Sequence, residues 1–303
     1  MNTQKTMTTG AWLELTLLSL IWGGSFLSIR LALNEIPVMT AVAHRVFWAM
    51  LILWCYILIR KHPIPRSPKI WGAFLVMGAL NNVIPFVLMG WGQLHIETGL
   101  TSIMNATTAV FGVVVASILF ADERLTWNRA AGVLLGFLGV TTAIGLQNLT
   151  QFDIRSTAQI AVIAGTLSYA LAGAWARKTL SSLPPQVAAA GMLTGAALIM
   201  LPLAFAVDGA PSLNLSLTAW GAVGYYSIIA TAGAYLLYYR ILSMAGSGNL
   251  MLCTLLVAPV AIVLGALVLG EDLAPRAYAG FALLALGLLV LDGRIFGILR
   301  KAP

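Results

Sequence analysis

Trp22-Gly23-Gly24-Ser25 opens a pattern that runs on through Arg30 and Pro37 and closes on Asp122-Glu123-Arg124-Leu125, Gly132, Gly136 and Gly139. At a shift of about 147 the pattern returns, with Tyr169 in place of Trp22, Arg177 of Arg30 and Pro184 of Pro37. Near the end the shift is 148: Glu271-Asp272-Leu273 stands for Glu123-Arg124-Leu125, and Gly280 and Gly287 for Gly132 and Gly139. A chain that repeats itself inside a membrane has two related halves that can rock about a site between them. The duplication decides the fold.

Composition places that repeat in lipid. Hydrophobic residues make up 60% of the 303 residues and charged ones 9%, against roughly 25% charged in a soluble domain. No polar block is left over for a soluble catalytic domain. The net charge of +7 does not form a nucleic-acid surface, because the basic residues sit singly at the ends of apolar runs rather than among aromatics. Cys55 and Cys253 lie within apolar runs at no metal-ligand spacing and read as packing residues. Asn148-Leu149-Thr150 and Asn214-Leu215-Ser216 match the glycosylation pattern, which is short enough to arise by chance.

About 20 residues are needed to cross the hydrocarbon core as a helix. Ten segments qualify: 12–33, 39–59, 71–94, 98–120, 127–146, 157–178, 186–207, 217–240, 247–269 and 276–296. The first is too long for a signal peptide and has no small-residue cleavage site, so it reads as a retained span. Loops are short and rich in turn formers, with Pro63, Pro65 and Pro68, then Pro184-Pro185, then Gly209 and Pro211. With the N-terminus inside, Lys5, Arg60, Lys61, Arg66, Lys69, Arg124, Arg129, Arg177, Lys178, Arg240, Arg294, Arg300 and Lys301 face the cytoplasm. Arg30, Arg45, Arg155 and Arg276 face outward. Thirteen against four of the 17 basic residues predicts that both termini are cytoplasmic. Five spans per half is odd, so residues 149–303 enter the membrane upside down relative to residues 1–148. The expected fold is an all-α integral membrane protein of ten transmembrane helices, arranged as two inverted five-helix repeats around a central cavity.

Trp22-Gly23-Gly24-Ser25-Phe26 resembles the opening of the EamA-type drug/metabolite transporters. Arg45 falls where that family has an arginine early in its second span. Asp122-Glu123-Arg124-Leu125 and Gly270-Glu271-Asp272-Leu273 resemble its turn closing the fourth and ninth spans, and Pro259 its ninth-span proline. The first half departs from the pattern, with Ala109-Val110-Phe111 where a proline is often found. Within the superfamily the chain looks most like the YddG-type exporters of aromatic amino acids. The resemblance implies a secondary transporter in a bacterial inner membrane, working on a small metabolite without a cofactor.

Pairing the third span with the eighth at a shift of 149 matches Gly78, Asn82, Phe86 and Met89 with Ser227, Thr231, Tyr235 and Tyr238. Steps of four, four and three keep each set on one helical face. Such a face lines either a central cavity or a hydrogen-bonded seam between helices; its recurrence in both halves favours the cavity. Trp22 and Ser25, with Tyr169 as the repeat mate of Trp22, are a second candidate wall, and Asn105 and Thr108 a third, though Thr hydroxyls also bond their own backbone. Arg45, two turns into its span, costs roughly 2.5–3.5 kcal/mol to insert. It draws a substrate carboxylate, or it snorkels outward or pairs with Glu35 or Glu97; the sequence favours the latter group. His44 and His95 read as packing residues. Pro85, Pro202 and Pro259 set kinks or serve as hinges, the static role being favoured. The Gly132/Gly136/Gly139 series lets the fourth and fifth helices approach.

No span carries a carboxylate near its centre, which weighs against a cationic-drug carrier and against direct proton coupling. Motifs for an intramembrane lipid- or metabolite-modifying enzyme, and for a metal, are missing. The expected partners are a neutral or zwitterionic small molecule, an amino acid or similar metabolite, and the bilayer, without nucleic acid; the sequence leaves the oligomeric state open, a monomer included.

Overall fold

The computed structural model describes residues 8–121, 126–145, 154–250 and 252–292. Ten helices fill them: α1 Thr9–Ala32, α2 Val38–Ile59, α3 Pro68–Gly92, α4 Thr98–Leu119, α5 Trp127–Ile144, α6 Ile154–Thr179, α7 Pro185–Val207, α8 217–250, α9 Leu252–Leu269 and α10 Pro275–Asp292. Six of them are long and apolar enough to cross a bilayer, and three further apolar stretches are shorter. Most ends fall within three residues of the expected spans. α8 runs ten residues further than expected, since no proline stands between Arg240 and Leu250 to stop it. The 148/149 boundary, the Asp122–Leu125 turn, the Asn148-Leu149-Thr150 pattern and the tail of the tenth span lie outside the described residues.

The packing follows the duplication. α1 lies on α9 and α6 on α4; α2 lies on α7; α3 lies on α6 and α7, and α8 on α1 and α2. Each contact has a mate when the halves are exchanged. The fifth helices give the orientation. A Cβ placed on Gly139 would stand 2.7 Å from the Gly280 carbonyl, and one on Gly287 would stand 2.8 Å from the Gly132 carbonyl. Numbering rises along α5 as it falls along α10, so the two helices are antiparallel and the repeats inverted. The glycine series therefore serves the α5–α10 crossing, and Gly136 also abuts α4, at Val110.

Both third helices contain π-helical turns, Ala79–Val83 in α3 and Tyr225–Gly233 in α8. A π turn adds a residue and frees backbone carbonyls, which must find donors in lipid. The first helix of the opposite half supplies them. Trp22 Nε1 of α1 donates to the Ala230 carbonyl at 3.1 Å, and Ser168 Oγ of α6 donates to the Leu80 carbonyl at 2.7 Å. α1 is thus a buried partner of the second half, with Leu15 and Leu18 fully covered.

Candidate functional site

A cavity of about 540 Å³ lies between the halves, bounded by α1, α2, α3, α4, α6, α7, α8 and α9. Eleven of the fourteen residues singled out by sequence line it: Trp22, Ser25, Arg45, Phe86, Met89, Asn105, Thr108, Tyr169, Thr231, Tyr235 and Tyr238. Gly78, Asn82 and Ser227 do not. Gly78 is pressed against α7, where an added Cβ would collide with the Ala196 nitrogen. Ser227, its repeat mate, is buried and donates to the His44 carbonyl of α2 at 3.3 Å. For this pair the seam reading holds.

Asn82 is displaced for a reason of geometry. The π turn advances the helix by one residue, so the face that begins at Met77 and Asn81, rather than Gly78 and Asn82, continues into Phe86 and Met89. Asn81 Nδ2 donates to the Tyr235 hydroxyl at 3.2 Å. Asn82 is wholly buried with its amide close to the same phenol, but neither amide atom meets a partner in good hydrogen-bond geometry. An unpaired buried amide costs about 1–3 kcal/mol. Asn82→Leu is therefore expected to raise the melting temperature in detergent and leave ligand affinity unchanged, whereas Asn81→Leu should weaken binding. Equal effects of the two on affinity would refute this assignment of faces.

Arg45 departs from the favoured expectation. Its Nε donates to Thr231 Oγ1 at 2.9 Å, and its guanidinium lies 3.9 Å from the Phe86 ring centroid. The Thr231 proton goes to the Tyr226 carbonyl, five residues back, at 2.7 Å. That bond is native to a π turn, and it leaves the hydroxyl lone pairs for Arg45. The expected acidic partners are engaged elsewhere: Glu97 with Arg155 at 2.6 Å and Glu35 with Ser216 at 2.9 Å. Arg45 neither snorkels nor pairs with a carboxylate among the described residues; it faces the cavity.

Aromatic rings make up much of the remaining wall. Trp22 and Tyr238 lie 5.9 Å apart, Tyr238 and Tyr239 5.3 Å apart edge to face, and Phe86 and Tyr169 6.4 Å apart. Ser25 and Thr108 turn their hydroxyl protons to their own backbones, to the Trp22 and Asn105 carbonyls. His44 accepts from Trp48 at 3.2 Å, and His95 packs on Trp91, as expected of packing residues. Sequence reasoning missed Asn81, Gln93, Tyr239, Met77 and Met192. Gln93 was within reach, one further step of four beyond Met89 on the same face.

One end of the cavity is shut. Ser25, Phe26, Met89 and Gln93 are all under 9% exposed, and Gln93 Nε2 crosses to the Phe26 carbonyl at 3.0 Å. At the other end Gly173 lines the cavity and is exposed. No Asp or Glu lines it among the described residues.

Residues 11–145 and 156–291 each match the EamA-like transporter family. The chain belongs to that family. Its membership makes it a multi-pass membrane transporter of a small molecule. Among relatives of this EamA-like chain, an uncharacterized transporter of Archaeoglobus fulgidus is 23% identical, over 92% of this chain and 98% of the relative. A probable terminal-alkyne amino-acid exporter of Streptantibioticus cattleyicolor is 25% identical, over 95% of each. The uncharacterized inner membrane transporter YedA of Escherichia coli is 24% identical, over 90% and 86%. A crystal structure 17% identical in sequence superposes with a TM-score of 0.69 over 97% of this chain and 99% of the other, which speaks for the fold alone.

Proposed function

We propose that this EamA-like protein is a secondary carrier that exports small zwitterionic metabolites, neutral and aromatic amino acids foremost, across a bacterial inner membrane. The observation that carries this reading is Arg45: a guanidinium with no counter-charge among the described residues, fixed by Thr231 and Phe86, facing an aromatic-lined cavity. A carboxylate supplies the missing charge through paired, charge-assisted hydrogen bonds. The rings beyond it accept an apolar side chain, and Asn105 and Asn81 offer polar contacts for the amino group. A volume of about 540 Å³ holds one such molecule with some water. A lining without acids is a poor host for a cationic drug. The name of the Streptantibioticus cattleyicolor relative supports the same substrate class.

Residues 1–148 and 149–303 act as the two rocking bodies of an alternating-access cycle. With both termini cytoplasmic, the shut end is the outer one, and the cavity here opens inward. No chemical step is needed, and neither cofactor nor second subunit enters.

The test is counterflow in proteoliposomes of the pure protein, with labelled Phe, Trp, Leu and Thr and a cationic dye, with and without a proton gradient. Saturable exchange of the amino acids without a gradient, competed by unlabelled Phe, is expected. Movement of the dye alone, or only under a gradient, would overturn the reading. Recovery of a chemically altered substrate would instead favour a membrane-embedded enzyme.

A further inference from the structure

Four carboxylates at the shut end of the cavity each reach across to the other half, and each meets the start of a helix there. Asp208, closing α7, accepts from Thr40 N and Thr40 Oγ1 in the first turn of α2, both at 2.8 Å. Glu271, in the turn after α9, accepts from Thr98 N at 2.8 Å and Gly99 N at 3.2 Å, the first two residues of α4. Glu35, after α1, accepts from Ser216 N at 2.9 Å and from its hydroxyl; Ser216 in turn caps α8 by accepting from Ala219 N at 3.1 Å. Glu97, after α3, grips Arg155 in the first turn of α6 at 2.6–2.9 Å. Two acids come from each half, so the two halves hold each other.

The chemistry suits a reversible contact. A carboxylate at a helix start meets free N–H groups and the positive end of the helix dipole. The bonds from Ser216 hold the Glu35 carboxyl below its ordinary range, so it is ionised at neutral pH. When the contact opens, both carboxylate and helix start are hydrated at the membrane surface, so opening strands no buried charge.

The inverted repeat supplies an independent comparison, because the symmetry that exchanges the halves also exchanges the ends. At the repeat shifts of 147 to 149, Glu35 maps to Ser182, Glu97 to Gly246, and Asp208 to Arg60 and its neighbour Lys61. Only Glu271 keeps an acid, Glu123, as its mate. The other mouth is linked by different residues, Glu14 of α1 with Arg240 of α8 at 2.8 Å, so the acids here are not simply a copy imposed by the duplication.

We infer that Asp208, Glu271, Glu35 and Glu97 form a latch that closes this mouth of the cavity and releases when the carrier opens here. The latch rests on the carrier reading above, but its test needs no substrate. Ile29 lines the cavity on the shut side. Ile29→Cys, in a background of Cys55→Ser and Cys253→Ala, reports access when a membrane-impermeant maleimide is applied from either side of oriented vesicles. Slow labelling from the latched side is expected, rising at least tenfold in Asp208→Asn/Glu271→Gln, with little gain from the other side. Unchanged sidedness in a double variant that elutes as a folded species would overturn the latch. If that variant does not insert, Glu35→Gln with Glu97→Gln removes the other two acids instead: a tenfold gain from the latched side again supports the latch, and unchanged sidedness again overturns it. Failure of amino-acid counterflow beside a tenfold gain in labelling would refute the substrate class and leave the latch standing.

Discussion

Arg45→Leu is expected to weaken binding of Phe or Leu about ten- to a hundredfold and to leave the protein at least as stable as before. A hydrogen bond to a charged partner contributes about 1.5–3 kcal/mol, and about 1.4 kcal/mol is a factor of ten in affinity. The stability half of the argument runs the other way. A central arginine costs roughly 2.5–3.5 kcal/mol to insert, and here its described return is one hydroxyl and one ring face. Removing it strands nothing, because Thr231 keeps its bond to the Tyr226 carbonyl. Arg45→Lys keeps the charge but not the planar fork, and should fall between the two. Titration calorimetry with Phe and thermal melts in the same detergent decide the matter. Unchanged affinity would remove Arg45 from the substrate site, and a large drop in melting temperature would make it a structural residue.

The largest effect on folding is expected at Gly139. A Cβ there would stand 2.5 Å from the Leu284 nitrogen and 2.7 Å from the Gly280 carbonyl. Both are helix backbone, which cannot turn aside as a side chain can. Gly139→Ala must push α5 and α10 apart along their crossing, and overpacking of this kind costs about 1–3 kcal/mol. Gly139→Leu adds three more carbons to the same gap and should yield no folded protein. Gly173→Ala is the control, since a Cβ there meets nothing within 4 Å. Size-exclusion profiles and melting curves compare the three; a wild-type melt for Gly139→Leu would mean that the two helices do not cross at this distance.

The fold was legible because its largest features are written in composition and repetition. Spans of fixed length, short loops and a pattern restated after 147 residues leave few arrangements open, and an odd number of spans per half leaves one. The site was legible where the helices are regular. Trp22, Ser25 and Tyr169 are set by ordinary α spacing, and all reach the cavity. It failed at the π turns. Asn81 and Asn82 are the same residue type side by side, so nothing in their chemistry says which faces inward; only the extra residue in the turn does, and hydrophobic periodicity cannot register it. Arg45 was misjudged for another reason. A single sequence shows what a buried charge costs but not that Glu35 and Glu97 are already taken by Ser216 and Arg155.

The lone guanidinium has an electrical consequence. When a cavity opens to one side only, nearly all the membrane potential falls across its closed wall, so a charge within sits at the potential of the open side. Arg45 need not move for its energy to change; it is enough that the closed wall changes sides. One elementary charge is worth about 2.3 kcal/mol per 100 mV, about a fiftyfold change in population at about 1.4 kcal/mol per decade. Under the export cycle proposed above, a cell interior held negative therefore draws the empty carrier toward the cytoplasm-facing state, where cargo loads. A bound zwitterion leaves the sum at one positive charge, so the same bias acts against the loaded outward step. A bound anion cancels it. Voltage then acts as a selector among cargoes by their net charge, through a residue that stays where it is.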